Sequence, residues 1–251
     1  MHIPGRILSA LYDLGTVALA AWAARTLYGK LASIFAATLL AFTALMIQSA
    51  HYYTTDSAVV FATTGVIACT VMVSRSRNAA WYLPAGIFLG MAVASKPNAA
   101  AAVGFLALPL LEQIRLNGWL SIAPRFSRGG TQDYTIANGR RSLRGFGILA
   151  GAVIAGILAL ASFRVLQPYA FTGPHFWNVS LDPRWTESLS YWSQAQAGII
   201  DYPPGFQWAN RTPVVFMVKN MVLWGMAPGF GIVALLAVGY AALRCLLRWR
   251  W

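Results

Sequence analysis

Charged side chains are scarce in this chain of 251 residues, since Asp, Glu, Lys and Arg together make up only 10% of it. Soluble domains carry about 25% charged residues, and a globule of this length needs more charge to cover its surface. The 58% share of apolar residues also excludes disorder, because disordered chains are poor in aliphatic and aromatic side chains. The composition therefore predicts a membrane protein.

Acidic residues and cysteines are also few, with seven Asp and Glu against 19 Lys and Arg, and two cysteines. Cys69 and Cys245 both lie in apolar runs, so they form no zinc pattern and indicate no disulfide framework. The basic residues are scattered over separate segments without a recognition module, which argues against a nucleic-acid partner. A Walker loop, a nucleophile elbow and a Rossmann fingerprint are all missing.

Long apolar runs predict an all-α polytopic membrane protein with about seven spans, because about 20 mostly apolar residues cross a bilayer. The predicted spans cover residues 7–24, 31–50, 57–73, 80–95, 99–111, 145–163 and 225–243. A polar loop at 112–144 precedes the sixth span, and a long mixed loop at 164–224 follows it. Within the mixed loop, residues 213–224 are interpreted as an interfacial helix. The whole chain, 1–251, is treated as one transmembrane domain.

The basic residues predict the orientation, because cytoplasmic loops carry an excess of Lys and Arg. With the N-terminus outside, thirteen Lys and Arg residues fall in inner segments and six in outer ones. We therefore expect a multi-pass protein of the cell membrane with a cytoplasmic C-terminus, in contact with membrane lipids. The loop at 112–144 is then cytoplasmic and the loop at 164–224 is outer. Four of the seven acids and many aromatic residues lie on the outer face, where we expect the site.

Residues 51–56, His-Tyr-Tyr-Thr-Thr-Asp, form a polar cluster between two predicted spans. Asp56 opens the third span, where its carboxylate can accept backbone N–H bonds as a helix cap. The same carboxylate can bind a metal ion or pair with a cation, and these roles can coexist with capping.

Lys96 lies at the outer end of the fourth span and is followed by Pro97, which breaks the apolar run. Its ammonium group either extends to the lipid head groups or binds a phosphate. A cation on the same face as Asp56 suits an anionic, lipid-linked substrate. Arg164, at the outer end of the sixth span, is an interface anchor or a substrate contact, and Tyr169 adds a hydrogen-bonding group.

Residues 200–213 contain a turn made rigid by two prolines and a glycine. Tyr202 and Trp208 can stack on a sugar, and Arg211 can bind a phosphate or pair with Asp201. The alternative is an ordered loop whose aromatic side chains rest on the membrane surface. Asp13, inside the first span, is costly in lipid and must face a partner or a water-filled cavity.

The order of these motifs resembles the GT-C superfamily of polyprenyl-phosphate-sugar-dependent glycosyltransferases. The motif SAHYYTTD at 49–56 opens a helix, and a glycine-rich helix ends in ASKP at 94–97. QPYAF at 167–171 and DYPPG at 201–205 look similar to outer loops of bacterial members. The resemblance is to bacterial relatives of the protein O-mannosyltransferases and of the lipid A aminoarabinose transferase, and it covers the chain from about Arg6 onward.

The resemblance implies that a protein, lipid or glycan hydroxyl attacks a sugar carried on polyprenyl phosphate at the outer membrane face, with inversion. It implies that Asp56, the second family acid, is catalytic and that Lys96 contacts the phosphate. In some members a bound divalent metal holds the phosphate charge, and the metal ligands here are unknown. The expected substrate-binding residues are Lys96, His51, Tyr53, Arg164, Tyr169, Asp201, Tyr202, Trp208 and Arg211.

Family members carry an earlier membrane helix and a large outer loop with a first acidic motif, and nothing before Asp13 can be that loop. We therefore expect an N-terminally truncated fragment that lacks the first catalytic acid and transfers no sugar by itself. Two alternatives stay open. One is a transporter or flippase of a lipid-linked substrate, although the chain shows no internal repeat. The other is a non-catalytic membrane subunit that binds a lipid phosphate.

Overall fold

The computed structural model describes residues 2–117, 132–173, 175–200, 202–203, 211–212 and 214–249. These ranges are mainly helical and contain no strand, with one isolated β-bridge between Phe171 and Leu181. The helices of these ranges are α1 His2–Tyr28, α2 Lys30–Ala41, α3 Ala44–His51, α4 Thr55–Ser76, α5 Tyr82–Ser95, α6 Val103–Asn117, α7 Gln132–Leu166, α8 Pro183–Gln196, α9 Val215–Asn220 and α10 Pro228–Trp249. The predicted all-α class is confirmed.

Four helical stretches are long and apolar enough to cross a membrane: Ile3–Tyr28, Thr55–Ser76, Pro97–Arg115 and Phe146–Leu166. Helices α2 and α3 form a fifth candidate, which is broken and bent by 56°. The apolar stretches Ala79–Ser95, Val215–Gly225 and Pro228–Arg244 are helical but shorter than these spans. The chain is a multi-pass membrane protein with four or five candidate spans in its described part, and the predicted number of seven is not confirmed.

The loops expected at 112–144 and 164–224 contain helical structure. Helix α6 continues to Asn117, and α7 begins at Gln132. The expected interfacial helix at 213–224 corresponds to α9 and a π-helix, Met221–Gly225, that follows it directly.

The chain divides into two compact units. The first comprises Met1–Ala37 and Tyr52–Pro168, and it contains α1 and α4 to α7. The second comprises Thr38–His51 and Tyr169–Trp251, and it contains α3 and α8 to α10. In the second unit, α8 is capped by Asp182, whose side chain accepts a hydrogen bond from the Arg184 backbone N–H at 2.8 Å.

The core of the first unit lies where α4, α5, α6 and α7 meet. Its buried residues are Val66, Cys69, Val73, Tyr82, Ala85, Leu89, Ala102, Leu106, Ile148 and Ala155. Tyr82 is completely buried, and its hydroxyl donates to the Leu106 carbonyl oxygen at 2.9 Å. This bond satisfies the polar end of a large apolar side chain, as a buried tyrosine requires.

Helices α5 and α7 cross closely because two glycines on α5 leave room for the backbone of α7. A Cβ atom added at Gly86 would clash with the Ala155 carbonyl oxygen, and one added at Gly90 would clash with that of Ala159. Their spacing of four residues places both glycines on one face of α5. Small residues at this spacing let membrane helices approach each other closely. The crossing anchors α5, whose end carries Lys96.

Arg77 ties the C-terminal end of α4 to α6. It adopts the left-handed region, with φ of 55°, which non-glycine residues rarely do. Its guanidinium donates to Gln113 Oε1 at 3.0 Å and to Glu112 Oε1 at 3.1 Å. Since Gln113 is buried, the contact serves a polar group that water does not reach.

Arg77→Ala is expected to lower the free energy of unfolding by about 1–2 kcal/mol, because charge-assisted hydrogen bonds are lost and the left-handed backbone stays. Arg75→Ala is the control, since Arg75 is exposed and makes a 3.5 Å bond to the Leu27 carbonyl oxygen. For the control we expect a loss below about 0.5 kcal/mol. Unfolding of the purified protein in detergent measures both, and equal losses would contradict the role given to Arg77.

Candidate functional site

One end of the first unit collects polar side chains that the sequence singled out. Helices α1 and α4 begin side by side there, because Tyr53, just before α4, lies against Gly5 of α1. Helix α5 returns to the same place, since Lys96 after its last residue meets Asp56. We call this region, with Gly5, Tyr53, Asp56 and Lys96, the Asp56 end. The opposite end, where Arg77 meets α6, is called the Arg77 end.

Asp56 and Lys96 form an ion pair between the Asp56 Oδ1 atom and the Lys96 ammonium. Asp56 lies in the first turn of α4. Lys96 follows α5 with an extended backbone, φ −147° and ψ 119°, which the following Pro97 favours. Both side chains are partly exposed, Lys96 at 44% and Asp56 at 55%. A ligand at this end can therefore reach both charges.

The geometry distinguishes helix capping from pairing with a cation, two of the three roles left open for Asp56. The N-cap residue of α4 is Thr54, and its side chain makes no capping hydrogen bond. Asp56 is thus not the N-cap. Its carboxylate pairs with Lys96 and lies in the first turn, where the helix dipole favours negative charge. Lys96 correspondingly has a specific partner at this end.

The ring of Tyr53 lies across Gly5, since a Cβ atom added at Gly5 would be 2.6 Å from the Tyr53 Cγ atom. Tyr53 is nevertheless 69% exposed. Its aromatic surface is therefore held against α1 on one side and accessible on the other, three residues before Asp56.

A buried polar contact joins α1 to α4 directly below the ion pair. The Ser57 hydroxyl donates to the Asp13 Oδ2 atom at 3.2 Å. Ser57 is 1% exposed and Asp13 is 7% exposed. The Asp13 Oδ1 atom is buried and has no hydrogen-bond partner among the described residues. The sequence indicated that Asp13 must face a partner, but it did not identify Ser57 as that partner. The feature that could have drawn attention to Ser57 is its position directly after Asp56.

Arg164 lies in the last turn of α7 and is only 8% exposed. Its Nη1 atom donates to the Pro168 carbonyl oxygen at 3.5 Å. The Arg164 guanidinium is thus largely buried within the described structure, close to the end of α7.

His51 and Tyr169, expected as substrate-binding residues, belong to the second unit. The His51 Nδ1 atom lies 2.7 Å from the Ile47 carbonyl oxygen, a contact within α3. Tyr169 is 85% exposed. Asp201 and Trp208, also expected at the site, lie outside the described residues.

Tyr202 and Arg211 make aromatic contacts within the second unit. The Tyr202 ring packs edge-on against Trp192 with 5.3 Å between centroids, and Trp192 packs in the same way against Tyr191 at 5.5 Å. The Arg211 guanidinium lies 4.9 Å from the centroid of the Phe216 ring. These contacts order the aromatic side chains, which both the sugar-stacking and the membrane-surface interpretations require.

In the part of the chain that the structure describes, no group of three or more His, Cys, Asp and Glu side chains is placed to hold a metal ion. At the Asp56 end, the Lys96 ammonium is the described cation that lies beside the Asp56 carboxylate. An exposed ammonium of this kind can bind a phosphate group.

A family model described as dolichyl-phosphate-mannose-protein mannosyltransferase matches residues 3–127. The matched segment runs from the first turn of α1 through α6, so it contains Tyr53, Asp56 and Lys96. No curated protein and no solved structure matches the chain. The family match confirms, over residues 3–127, the resemblance that the motifs at 49–56 and 94–97 indicated.

Proposed function

We propose that this chain, whose residues 3–127 match the dolichyl-phosphate-mannose-protein mannosyltransferase family, serves in the transfer of a sugar from a polyprenyl-phosphate donor at the outer face of the membrane. The family match supports a membrane glycosyltransferase of the mannosyltransferase type. The donor class, the site and the membrane face are our proposal. The Asp56–Lys96 ion pair is the observation that supports it most directly.

The proposed reaction uses the two members of the pair in different ways. The acceptor hydroxyl oxygen attacks the anomeric carbon, and the bond from that carbon to the phosphate oxygen breaks with its electron pair moving to the phosphate. Lys96 holds the phosphate as its negative charge increases. The Asp56 carboxylate takes the proton of the attacking hydroxyl as general base.

The ion pair also suggests how donor binding prepares the base. While Lys96 is paired with Asp56, the carboxylate is neutralised. An exposed ion pair contributes only about 0.2–1 kcal/mol, whereas a charge-assisted hydrogen bond to phosphate contributes about 1.5–3 kcal/mol. We therefore propose that Lys96 moves from Asp56 to the donor phosphate, which leaves Asp56 free to accept a proton.

The distribution of charge supports an outer position for the Asp56 end. The Arg77 end of the first unit carries Arg25, Lys30, Arg75, Arg77 and Arg115. The Asp56 end carries Arg6, Lys96 and Arg164. Since cytoplasmic segments are the richer in Lys and Arg, we propose that the N-terminus and the Asp56 end lie on the outer side. The last turns of α10 contain Arg244 and Arg248, so we propose that the C-terminus is cytoplasmic.

Lys96→Ala is expected to weaken the binding of polyprenyl-phosphate mannose about tenfold or more, because one charge-assisted hydrogen bond to phosphate is lost. Lys96→Arg should retain most of the affinity. Lys30→Ala is the matched control, since it removes an exposed lysine from the first unit and should leave the affinity unchanged. Binding is measured with the purified protein in nanodiscs, and unchanged affinity in Lys96→Ala would contradict the site.

A second measurement separates transfer from binding alone. Radiolabelled donor is incubated with membranes that contain the protein, and released polyprenyl phosphate is counted. Binding without release would favour the non-catalytic lipid-phosphate-binding subunit, for which the exposed Lys96 ammonium is equally suited.

A further inference from the structure

We propose that Asp13 is a positioning residue that acts through Ser57 to hold the first turn of α4, and with it Asp56, in place. This inference rests on the proposed function, because Asp56 is assigned there as the general base. Its structural part, the restraint on the first turn of α4, can be tested independently.

The first turn of α4 needs a restraint from outside the helix. The first four backbone N–H groups of any α-helix have no partner within the helix, and Thr54, the N-cap of α4, makes no side-chain hydrogen bond to them. The bond from Ser57 to Asp13 ties this turn to α1 instead. Since α1 and α4 pack against each other, the turn is held by the body of the first unit.

The same turn offers Asp13 a favourable electrostatic position. A carboxylate is costly within a membrane span unless a partner offsets its charge. The start of α4 carries the positive end of the helix dipole, and the Ser57 hydroxyl donates to the Asp13 carboxylate. The contact with the first turn of α4 thereby explains why a carboxylate is tolerated in the interior of α1.

Asp56 is adjacent to Ser57, so the Ser57–Asp13 bond and the Asp56–Lys96 ion pair act on the same turn of α4. Successive side chains point about 100° apart around a helix. Ser57 therefore faces Asp13 in the interior, while Asp56 faces Lys96 at the exposed surface. If Ser57 loses Asp13, the turn can rotate or rise, and the Asp56 carboxylate moves relative to a bound acceptor.

The Asp13 carboxylate uses only one of its two oxygens, Oδ2, in the contact with Ser57. The Oδ1 atom is buried without a hydrogen-bond partner among the described residues, and such an atom lowers stability. The bond from Ser57 is therefore the described hydrogen bond that fixes the Asp13 carboxylate in the interior.

The test compares Ser57→Ala with Thr70→Val. Thr70 is the matched control, because it is also buried in α4 but its hydroxyl donates to the Val66 carbonyl oxygen of the same helix. Each substitution is placed in the chromosomal gene. Ser57→Ala is expected to lower kcat about tenfold or more with donor KM within twofold, because a small displacement of a catalytic group is costly. Thr70→Val should change neither constant.

Hydrogen exchange of the purified protein tests the restraint without any substrate. The amides of residues 59–62 are expected to exchange about tenfold faster in Ser57→Ala and Asp13→Ala than in the wild type. In Thr70→Val their exchange rates should equal those of the wild type. Asp13→Asn keeps an acceptor for Ser57 and should recover part of the protection. The Asp13→Ala, Ser57→Ala double variant should be no worse than either single variant, since both remove one contact.

The two readouts distinguish the possible failures. If the protein expressed from the unaltered chromosomal gene transfers no sugar but exchange rises only in the Asp13 and Ser57 variants, the proposed function fails while the restraint on α4 stands. If exchange rises and kcat stays at the wild-type value, the contact is structural and the positioning role is overturned. Equal behaviour of Ser57→Ala and Thr70→Val in both measurements overturns the whole inference.

Discussion

Asp56→Asn is expected to lower sugar transfer by about 10²–10⁴-fold, the range in which a general base contributes to catalysis. The same substitution should tighten the binding of polyprenyl phosphate about two- to fivefold, because it releases Lys96 from an exposed ion pair that contributes about 0.2–1 kcal/mol. Loss of transfer combined with tighter binding is the specific result that follows from the proposed movement of Lys96 from Asp56 to the phosphate.

The experiment is best done with the substitution in the chromosomal gene and with isolated membranes, using radiolabelled polyprenyl-phosphate mannose. Glu112→Gln is the matched control, because it also removes a carboxylate from an ion pair of the first unit, the pair with Arg77 at the opposite end. The control should transfer at the wild-type rate. Wild-type transfer in Asp56→Asn would exclude Asp56 as the base, and weaker phosphate binding would contradict the competition with Lys96.

Gly90→Ala is expected to lower the free energy of unfolding by about 3 kcal/mol, because the added methyl group meets the backbone of α7 and overpacked sites cannot relax easily. The neighbours of that methyl group would be the Ala159 carbonyl oxygen, the Ser162 Cβ atom and the Phe163 backbone nitrogen. Backbone atoms at a helix crossing move only if the helices separate, so the crossing of α5 and α7 must open.

The matched control is Gly156→Ala, since an added Cβ atom at Gly156 of α7 has no neighbour within 4 Å. There the greater helix propensity of alanine should stabilise the protein by about 0.5–1 kcal/mol. The same chemical change thus has opposite effects at two glycines. Thermal unfolding in detergent measures both. A Gly90→Ala protein as stable as the wild type would contradict the close crossing of α5 and α7.

The break between α2 and α3 illustrates a feature that apolar pattern alone did not predict. The apolar run 31–50 contains neither Gly nor Pro, and it predicts one continuous span. The structure bends it by 56° between Ala41 and Ala44. The Thr43 hydroxyl donates to the Leu39 carbonyl oxygen at 2.6 Å, and a threonine that bonds back to its own helix in this way often bends it.

Two of the predicted spans, 80–95 and 225–243, are helical as predicted. Their apolar helices are shorter than the four that are long enough to cross a membrane. Residues 79–95 include a short 3₁₀ turn, Ala79–Trp81, before α5, and the apolar part of α10 ends at Arg244. Whether such helices cross a bilayer depends on their neighbours and on tilt, which composition does not record.

The sequence by itself determined the class of protein, the family that residues 3–127 match and the end of the molecule at which we expect the site. Low charge and long apolar runs are sufficient for a membrane assignment, because the bilayer acts on each segment separately. An even number of predicted helical passes between Asp56 and Lys96 is sufficient to place both on one side. These properties are one-dimensional, since they depend on the order of residues along the chain.

Only the tertiary structure decided which polar group meets which. The Asp56–Lys96 pair, the Ser57–Asp13 bond and the position of Tyr53 on Gly5 all depend on how α1, α4 and α5 are rotated about their axes. That rotation is set by the packing of small residues, such as Gly86 and Gly90 against α7, between segments distant in sequence. A partner 40 residues away, as Lys96 is from Asp56, is selected by three-dimensional packing, and no local pattern encodes it.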